Sequence, residues 1–309
     1  MALHRLLSMR VGVPDPHALG AFYDEMGLSR GASDDFTGSD GGAVVHVEEY
    51  PFRRLLEVTA GADDESHLAA AAGRLTDAGL APTIADGVLR VVDPASQVTL
   101  RIEVAEPFHQ PPVASAVDNS PGLTVRHNAR AAGVFGTARP PRRLGHLVIG
   151  TPDLEGTRDL LHHGLGFKVS DDMAPIMTFL RCSTDHHNVA LVASPVPMLQ
   201  HYSWECDDVD HVGHSATALL RTDPARHAWG FGRHFLGSNY YWYLRDPAGS
   251  FLELYSDMDV IDDDEAWAEV QRTPVGFEHI ANSWGPNLPA EFVEPDDMAA
   301  LQSAWASRS

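Results

Sequence analysis

Four stretches of the chain repeat one pattern: a short apolar strand, a turn carrying an acid or a proline, and a segment with apolar residues three and four apart. They are LLSMRVGVPDPHALGAFYDEMGL, RRLLEVTAGADDESHLAAAAGRLTDAGL, RLGHLVIGTPDLEGTRDLLHHGLGF and MLQHYSWECDDVDHVGHSATALLRT. Repetition on this scale narrows the available folds, because each copy must bury its apolar face against its neighbours. The three-and-four spacing predicts helices, while the segments closing the units, such as VLRVVDP and YWYLRDP, alternate or run apolar and predict strands. Each unit reads as strand, helix, then several strands.

The second and fourth units end in related hairpins, RVVDPASQVTLRIEV and YLRDPAGSFLELYS, where Asp-Pro followed by small residues makes the turn. Units therefore pair, first with second and third with fourth. The expected fold is α+β: four βαβββ units paired into two barrel-like domains, residues 1–105 and 143–260. Residues 106–142 between them are rich in Pro, Gly and Ala and lack periodicity, which predicts a connector. Residues 261–309 form an acidic tail whose Trp and Pro residues suggest packing over something, as a lid.

A chain of 309 residues, 44% apolar and 21% charged, has the composition of two ordinary globular domains. Its formal charge of -21 opposes nucleic acid and anionic membranes. The opening MALHRLLSMRVGVPDP is too short in apolar residues for a signal segment, and no run approaches a bilayer span, so a cytoplasmic location is expected. Cys182 and Cys206 are the only cysteines and read as small buried residues, not as a disulfide framework.

In YWYLRDPAGSFLELY, Glu253 stands inside an apolar strand, where an unpaired carboxylate is costly to bury. The repeat register gives it partners. Seven residues before the turn acid Asp153 is His146, and seven before Asp208 is His201. Two imidazoles and a carboxylate meeting in one sheet are the ligand set of a non-haem Fe(II) site with open positions, and Mn(II) is the alternative metal. The first two units serve as a control. The same counts give Ser8, Glu57 and, seven beyond Asp93, Leu100, so the N-terminal half should be a metal-free scaffold. The position in the third unit that could offer a fourth ligand is Ala190.

These residues, together with GFGRHFLGSNYYWYLRDPAGSFLELYSD, resemble the type I extradiol ring-cleaving dioxygenases of the vicinal oxygen chelate superfamily, from about residue 5 to 260. The resemblance implies His146, His201 and Glu253 as metal ligands and cleavage of a catechol-type substrate next to its diol, with both atoms of O2 incorporated. It also implies His187, in CSTDHHNVALV, as the acid-base residue, and His234 and Tyr243 as partners of the substrate hydroxyls. A histidine titrating near neutrality suits proton exchange with a catechol. Hydrogen-bond donors near the ring oxygens suit the charge that develops there. Where the family often has two adjacent histidines at the second ligand, this chain has Gln200 then His201. Family members are commonly oligomers, so a homodimer or homotetramer is expected. Two rivals stand beside this reading: an isomerase or lyase of the glyoxalase kind, which usually takes four protein ligands, and a metal-free protein that binds an aromatic drug.

Other histidines read as structural. His186 is expected to be structural or exposed, and His162 and His163 end a helix. His211 and His214 lack zinc-motif partners. The run Asp262, Asp263, Asp264, Glu265 reads as a helix start.

Overall fold

The computed structural model describes residues 2–114, 117–273 and 281–308. The first repeat is β1 (Leu3–Val13), α1 (Pro16–Glu25), β2 (Ser29–Arg30), β3 (Asp35–Gly38) and β4 (Gly41–Glu49). The second is β5 (Arg54–Ala62), α2 (Glu65–Asp77), β6 (Thr83–Ala85), β7 (Val88–Val92) and β8 (Thr99–Val104). The third is β9 (Leu144–Thr151), α3 (Leu154–Asp159) prolonged by a π turn over Leu160–Leu165, β10 (Lys168–Met173), β11 (Met177–Arg181) and β12 (Val189–Ala193). The fourth is β13 (Met198–Glu205), α4 (Val209–Thr222), β14 (His227–Arg233), β15 (Tyr240–Arg245) and β16 (Phe251–Ser256). The tail adds α5 (Asp264–Val270), α6 (Ala290–Val293) and α7 (Met298–Ala306).

The acid that marks each repeat caps its helix. Asp15, Asp64, Asp153 and Asp208 accept from the backbone N–H groups of Ala18, Ser66, Gly156 and His211 at 2.8–3.0 Å. The first N–H groups of a helix have no partner within it, which is why a capping acid recurs at the same place in every unit. Asp263 does the same for α5.

The strands form two eight-stranded sheets of matching order, β2-β3-β4-β1-β5-β8-β7-β6 and β10-β11-β12-β9-β13-β16-β15-β14. In each, the opening strands of two units lie antiparallel at the centre, and each is flanked in parallel by the last strand of its own unit. One apolar cluster runs through both halves, joining Met9 and Tyr23 to Tyr202 and Trp204. Arg53 ties the tail to this junction, donating to Asp297 at 2.6 and 2.8 Å and to the Leu199 carbonyl at 2.9 Å. No helix among the described residues is long and apolar enough to cross a membrane.

β9 and β16 are buried at every residue and β13 at all but Glu205, so these strands are covered on both faces. On β16, Leu252 and Leu254 join the large core, which turns Glu253 to the opposite face. The control from the N-terminal half needs one correction. Thr59 lies opposite both Ser8 and Arg101, as Ser203 lies opposite both His146 and Glu253. Arg101, not Leu100, therefore holds the counterpart position of Glu253, because the turn after Asp93 has one more residue than the turn after Asp246. Arg101 pairs with Glu57, the counterpart of His201, at 2.8 Å. Ala190 pairs with Val148 as Glu253 pairs with Ser203, which makes it the position equivalent to Glu253 in the third unit.

Several histidines hold structure, as expected. His211 accepts from the Asp207 N–H and donates to the Arg139 carbonyl, and His214 donates to the Gly133 carbonyl, so both anchor the connector. His162 bonds the Phe167 carbonyl, His163 is exposed, and both cysteines are buried and free.

Candidate metal centre

The register of β9, β13 and β16 puts His146 and Glu253 on either side of Ser203, with His201 two residues away on the same face. His146 Nε2 lies 2.8 Å and His201 Nε2 3.8 Å from Glu253 Oε2. One donor atom from each residue falls within 4.8 Å of the others, and all three side chains are buried. Among the described residues they are the one group of His, Cys, Asp and Glu side chains gathered closely enough to hold an ion.

Glu253 is 0% exposed and is held from both sides: Ser203 Oγ donates to Oε2 at 2.6 Å and Asn239 Nδ2 to Oε1 at 2.9 Å. Burial alone would raise its pKa, but the neighbouring imidazoles of His146 and His234 outweigh burial and hold it well below the usual carboxylate range. Burial has the opposite effect on His201, which is pushed down to about 3 against the pull of Glu253. A neutral imidazole is the form that ligates a metal.

Gln200 then fixes which nitrogen of His201 is free. Its Nε2 donates to the Phe292 carbonyl at 2.9 Å, so its Oε1 faces His201 Nδ1 as an acceptor. His201 must carry its proton on Nδ1, leaving the Nε2 lone pair toward Glu253. The residue that departs from the family pattern therefore supplies the support that a ligating imidazole requires. Two imidazoles, one carboxylate and a set tautomer fit Fe(II), and equally Mn(II).

His187 lies beside the cluster, its ring centroid 4.2 Å from that of His146, and is buried. Burial and the adjacent imidazoles of His146 and His186 keep its pKa well below the ordinary histidine value. His234 and Tyr243 are brought together at 2.9 Å between Nε2 and the hydroxyl, across from Glu253. His234 Nδ1 donates to the Ala281 carbonyl at 2.6 Å, so in the neutral ring Nε2 accepts and the Tyr243 hydroxyl donates. Trp229 stacks on Tyr243 at 5.4 Å and holds it in place.

All six candidate residues line a single pocket. Apart from Gln200 and Asn239 its remaining described walls are apolar, with Met177, Phe179, Met198 and Leu236 from the strands and loops and Leu288 and Phe292 from the tail. No lysine or arginine is among the described lining residues, and residues 274–280, outside the described set, contain none in sequence. The sequence does not single out Ser203, Asn239 or the tail carbonyls of Ala281 and Phe292; Gln200 stands out there only as the neighbour of His201, and Asn239 only lies within the GSNYY stretch.

Residues 143–254 match the family model described as Glyoxalase/Bleomycin resistance protein/Dioxygenase superfamily. Metapyrocatechase 2 of Cupriavidus necator is 37% identical over 158 residues, 50% of this chain and 47% of that protein, so the chain spans about half the length of that relative. The 2,2',3-trihydroxybiphenyl dioxygenase of Sphingomonas paucimobilis is 29% identical over 80% of this chain and 85% of its own. The fold is shared with the Mn(II)-bound glyoxalase from Novosphingobium aromaticivorans, at a TM-score of 0.68 over 94% of both chains and 24% identity. The stretch that matches this family model, residues 143–254, is the one that brings together His146, His201 and Glu253.

Proposed function

We propose that the protein is an extradiol dioxygenase that opens the ring of a catechol next to its diol, using O2 and an Fe(II) ion held by His146, His201 and Glu253. The observation that carries this reading is the convergence of two imidazoles and one carboxylate in a largely apolar pocket that His187 and the His234–Tyr243 pair also line. When bound, the ion supplies a Lewis acid for the diol oxygens and a path for electrons between ring and dioxygen. His187 takes a proton from a diol hydroxyl and returns it later, which its neutral state and position on the pocket wall permit. The Tyr243 hydroxyl, its proton held by His234 Nε2, offers its oxygen lone pairs to a substrate hydroxyl. The apolar walls keep water from the reacting groups.

The absence of lysine and arginine from the described lining residues favours a catechol with an apolar substituent over one with a carboxylate, which would be buried without a cationic partner among them. The connector leaves Leu123, Val134 and Phe135 exposed, which supports self-association into a homodimer or homotetramer. A light-scattering mass equal to one chain would remove that part of the reading.

The test is anaerobic loading with Fe(II), then mixing with alkyl-, aryl- and carboxyl-substituted catechols and air while following visible absorbance. A yellow ring-fission product from the apolar catechols is expected. No colour from any of them, with iron shown to be bound, would overturn ring cleavage and favour a glyoxalase-type isomerisation at the same ligands. Ala190 weighs against that alternative, because it leaves no fourth ligand at the equivalent strand position.

A further inference from the structure

Asp171, His186 and His187 form a hydrogen-bonded row from the sheet edge to the pocket. Asp171 Oδ2 lies 2.7 Å from His186 Nε2, and His186 Nδ1 lies 3.0 Å from His187 Nδ1. His186 is 0% exposed. Asp171 follows a register shift in β10, the kind of bulge that redirects a side chain. Gly237, at φ +87°, closes over the two rings; a Cβ there would sit 3.3 Å from His186 Nδ1 and 3.5 Å from His187 Cε1. The tail braces the row from outside: Trp267 donates to the Ser170 carbonyl at 2.8 Å, and its ring meets His186 edge-on at 5.4 Å.

The proton positions follow from the row itself. An ionised carboxylate only accepts, so His186 Nε2 carries a proton and, in the neutral ring, Nδ1 does not. His186 Nδ1 must then accept, so His187 Nδ1 is the donor and its remaining nitrogen, Nε2, has the lone pair. Among the described residues that Nε2 has no hydrogen-bond partner, and His187 lines the pocket. A buried histidine serving structure alone looks different here. His211 spends both nitrogens on backbone groups, whereas His186 spends one on another imidazole.

We infer that Asp171 and His186 are positioning residues that present His187 to the pocket as a proton acceptor at Nε2. The use of that acceptor toward a catechol hydroxyl rests on the function proposed above; the tautomer does not. Neither residue touches the substrate. Each acts through His187, as a carboxylate beyond a catalytic imidazole does elsewhere.

The first test is the imidazole 15N spectrum of the metal-free protein near neutral pH, assigned with His186→Phe and His187→Phe. His187 is expected to carry its proton on Nδ1 in the wild type. In Asp171→Ala the His186 proton is free to move to Nδ1, and His187 should shift toward the Nε2–H form. The loaded Asp171→Ala enzyme should lose about 10–100-fold in kcat, with KM and metal content unchanged. A wild-type His187 protonated on Nε2, or an Asp171→Ala spectrum unchanged at His187, overturns the inference. The spectrum requires no substrate, so a failure of ring cleavage and a failure of the row are told apart.

Discussion

Gln200→Leu isolates what the neighbour of a ligand contributes. The amide is oriented by its 2.9 Å bond to the Phe292 carbonyl, which leaves only its oxygen for His201 Nδ1. Leucine removes that acceptor, and His201 can then place its proton on Nε2, the nitrogen an ion would need. Loss of such a partner costs about 10–100-fold in metal affinity, or about 1.4–2.7 kcal/mol. Releasing the Phe292 carbonyl costs about 1 kcal/mol more, spent on the tail and not on the metal. Gln200→Glu separates the two, since a carboxylate still accepts from Nδ1–H but has nothing to donate to Phe292. It should keep the affinity and lose the tail bond. Mn(II) titration of the metal-free protein, read by the resonance signal of free ion, measures the first effect, and thermal unfolding measures the second. If Gln200→Leu binds Mn(II) as tightly as wild type, or if both variants lose affinity equally, the tautomer argument fails.

Glu253→Ala or His146→Ala should strip the metal and reduce turnover to background, and a variant retaining both metal and turnover would remove those residues from the site. His187 and His201 are held below the value of about 6.5 that the unfolded chain has, so the stability they contribute is present above that pH and drains as acid protonates the unfolded state first. In the metal-free protein His201 should cost about 2 kcal/mol between neutrality and pH 5, and His187 acts in the same direction. His187→Phe should flatten the loss of stability on acidification in urea unfolding, whereas a pH slope equal to wild type would show that His187 is not held neutral. Arg53 is 3% exposed and joins Asp297, itself about a third exposed, to the Leu199 carbonyl, so Arg53→Met should destabilise the fold by about 1–2 kcal/mol in chemical denaturation, chiefly through the unpaired carbonyl. Arg101 and Glu57 are about four-fifths buried, and a double-mutant cycle to leucine should return a coupling of about 1 kcal/mol; zero coupling would make the pair incidental.

Much of the architecture was legible because one physical requirement recurs. A helix needs its first N–H groups capped, so an acid stands at the same place in all four repeats, and counting from it lands on equivalent strand residues. That count put His146 and His201 at equivalent positions, and the register agrees, each lying opposite the residue two beyond the other. It slipped by one at Leu100, since hairpin length is not held constant: the Asp93 turn, tightened by Ser96 and by Thr157 from the other half, takes one residue more. Asn239 and Ser203 stayed hidden for a different reason. Their value lies in being within 3 Å of Glu253, and distance between strands is not written in spacing along one. Asp171 is further from any signal, since a bulge in β10 decides where it points.

The tail supplies what the four repeats do not. Repeats give side chains on strands, and they bring three candidate ligands and three further polar groups to one pocket. They do not by themselves decide which imidazole nitrogen is free. That decision is made at Nδ1 in three rings: by Gln200 for His201, by His186 for His187, and by the Ala281 carbonyl for His234. Two of the three depend on the tail, Ala281 directly and Phe292 by orienting Gln200, while Trp267 and Gln271 brace the strand that carries Asp171. The same segment closes the pocket with Leu288 and Phe292. Covering the site and setting its proton positions are thus tasks of one piece of chain. In the N-terminal half the counterpart positions hold Ser8, Glu57 and Arg101, and there a guanidinium occupies the place where the C-terminal half has its carboxylate. A fixed cation beside Glu57 neutralises that carboxylate without an ion, which leaves no electrostatic reason for metal to bind there.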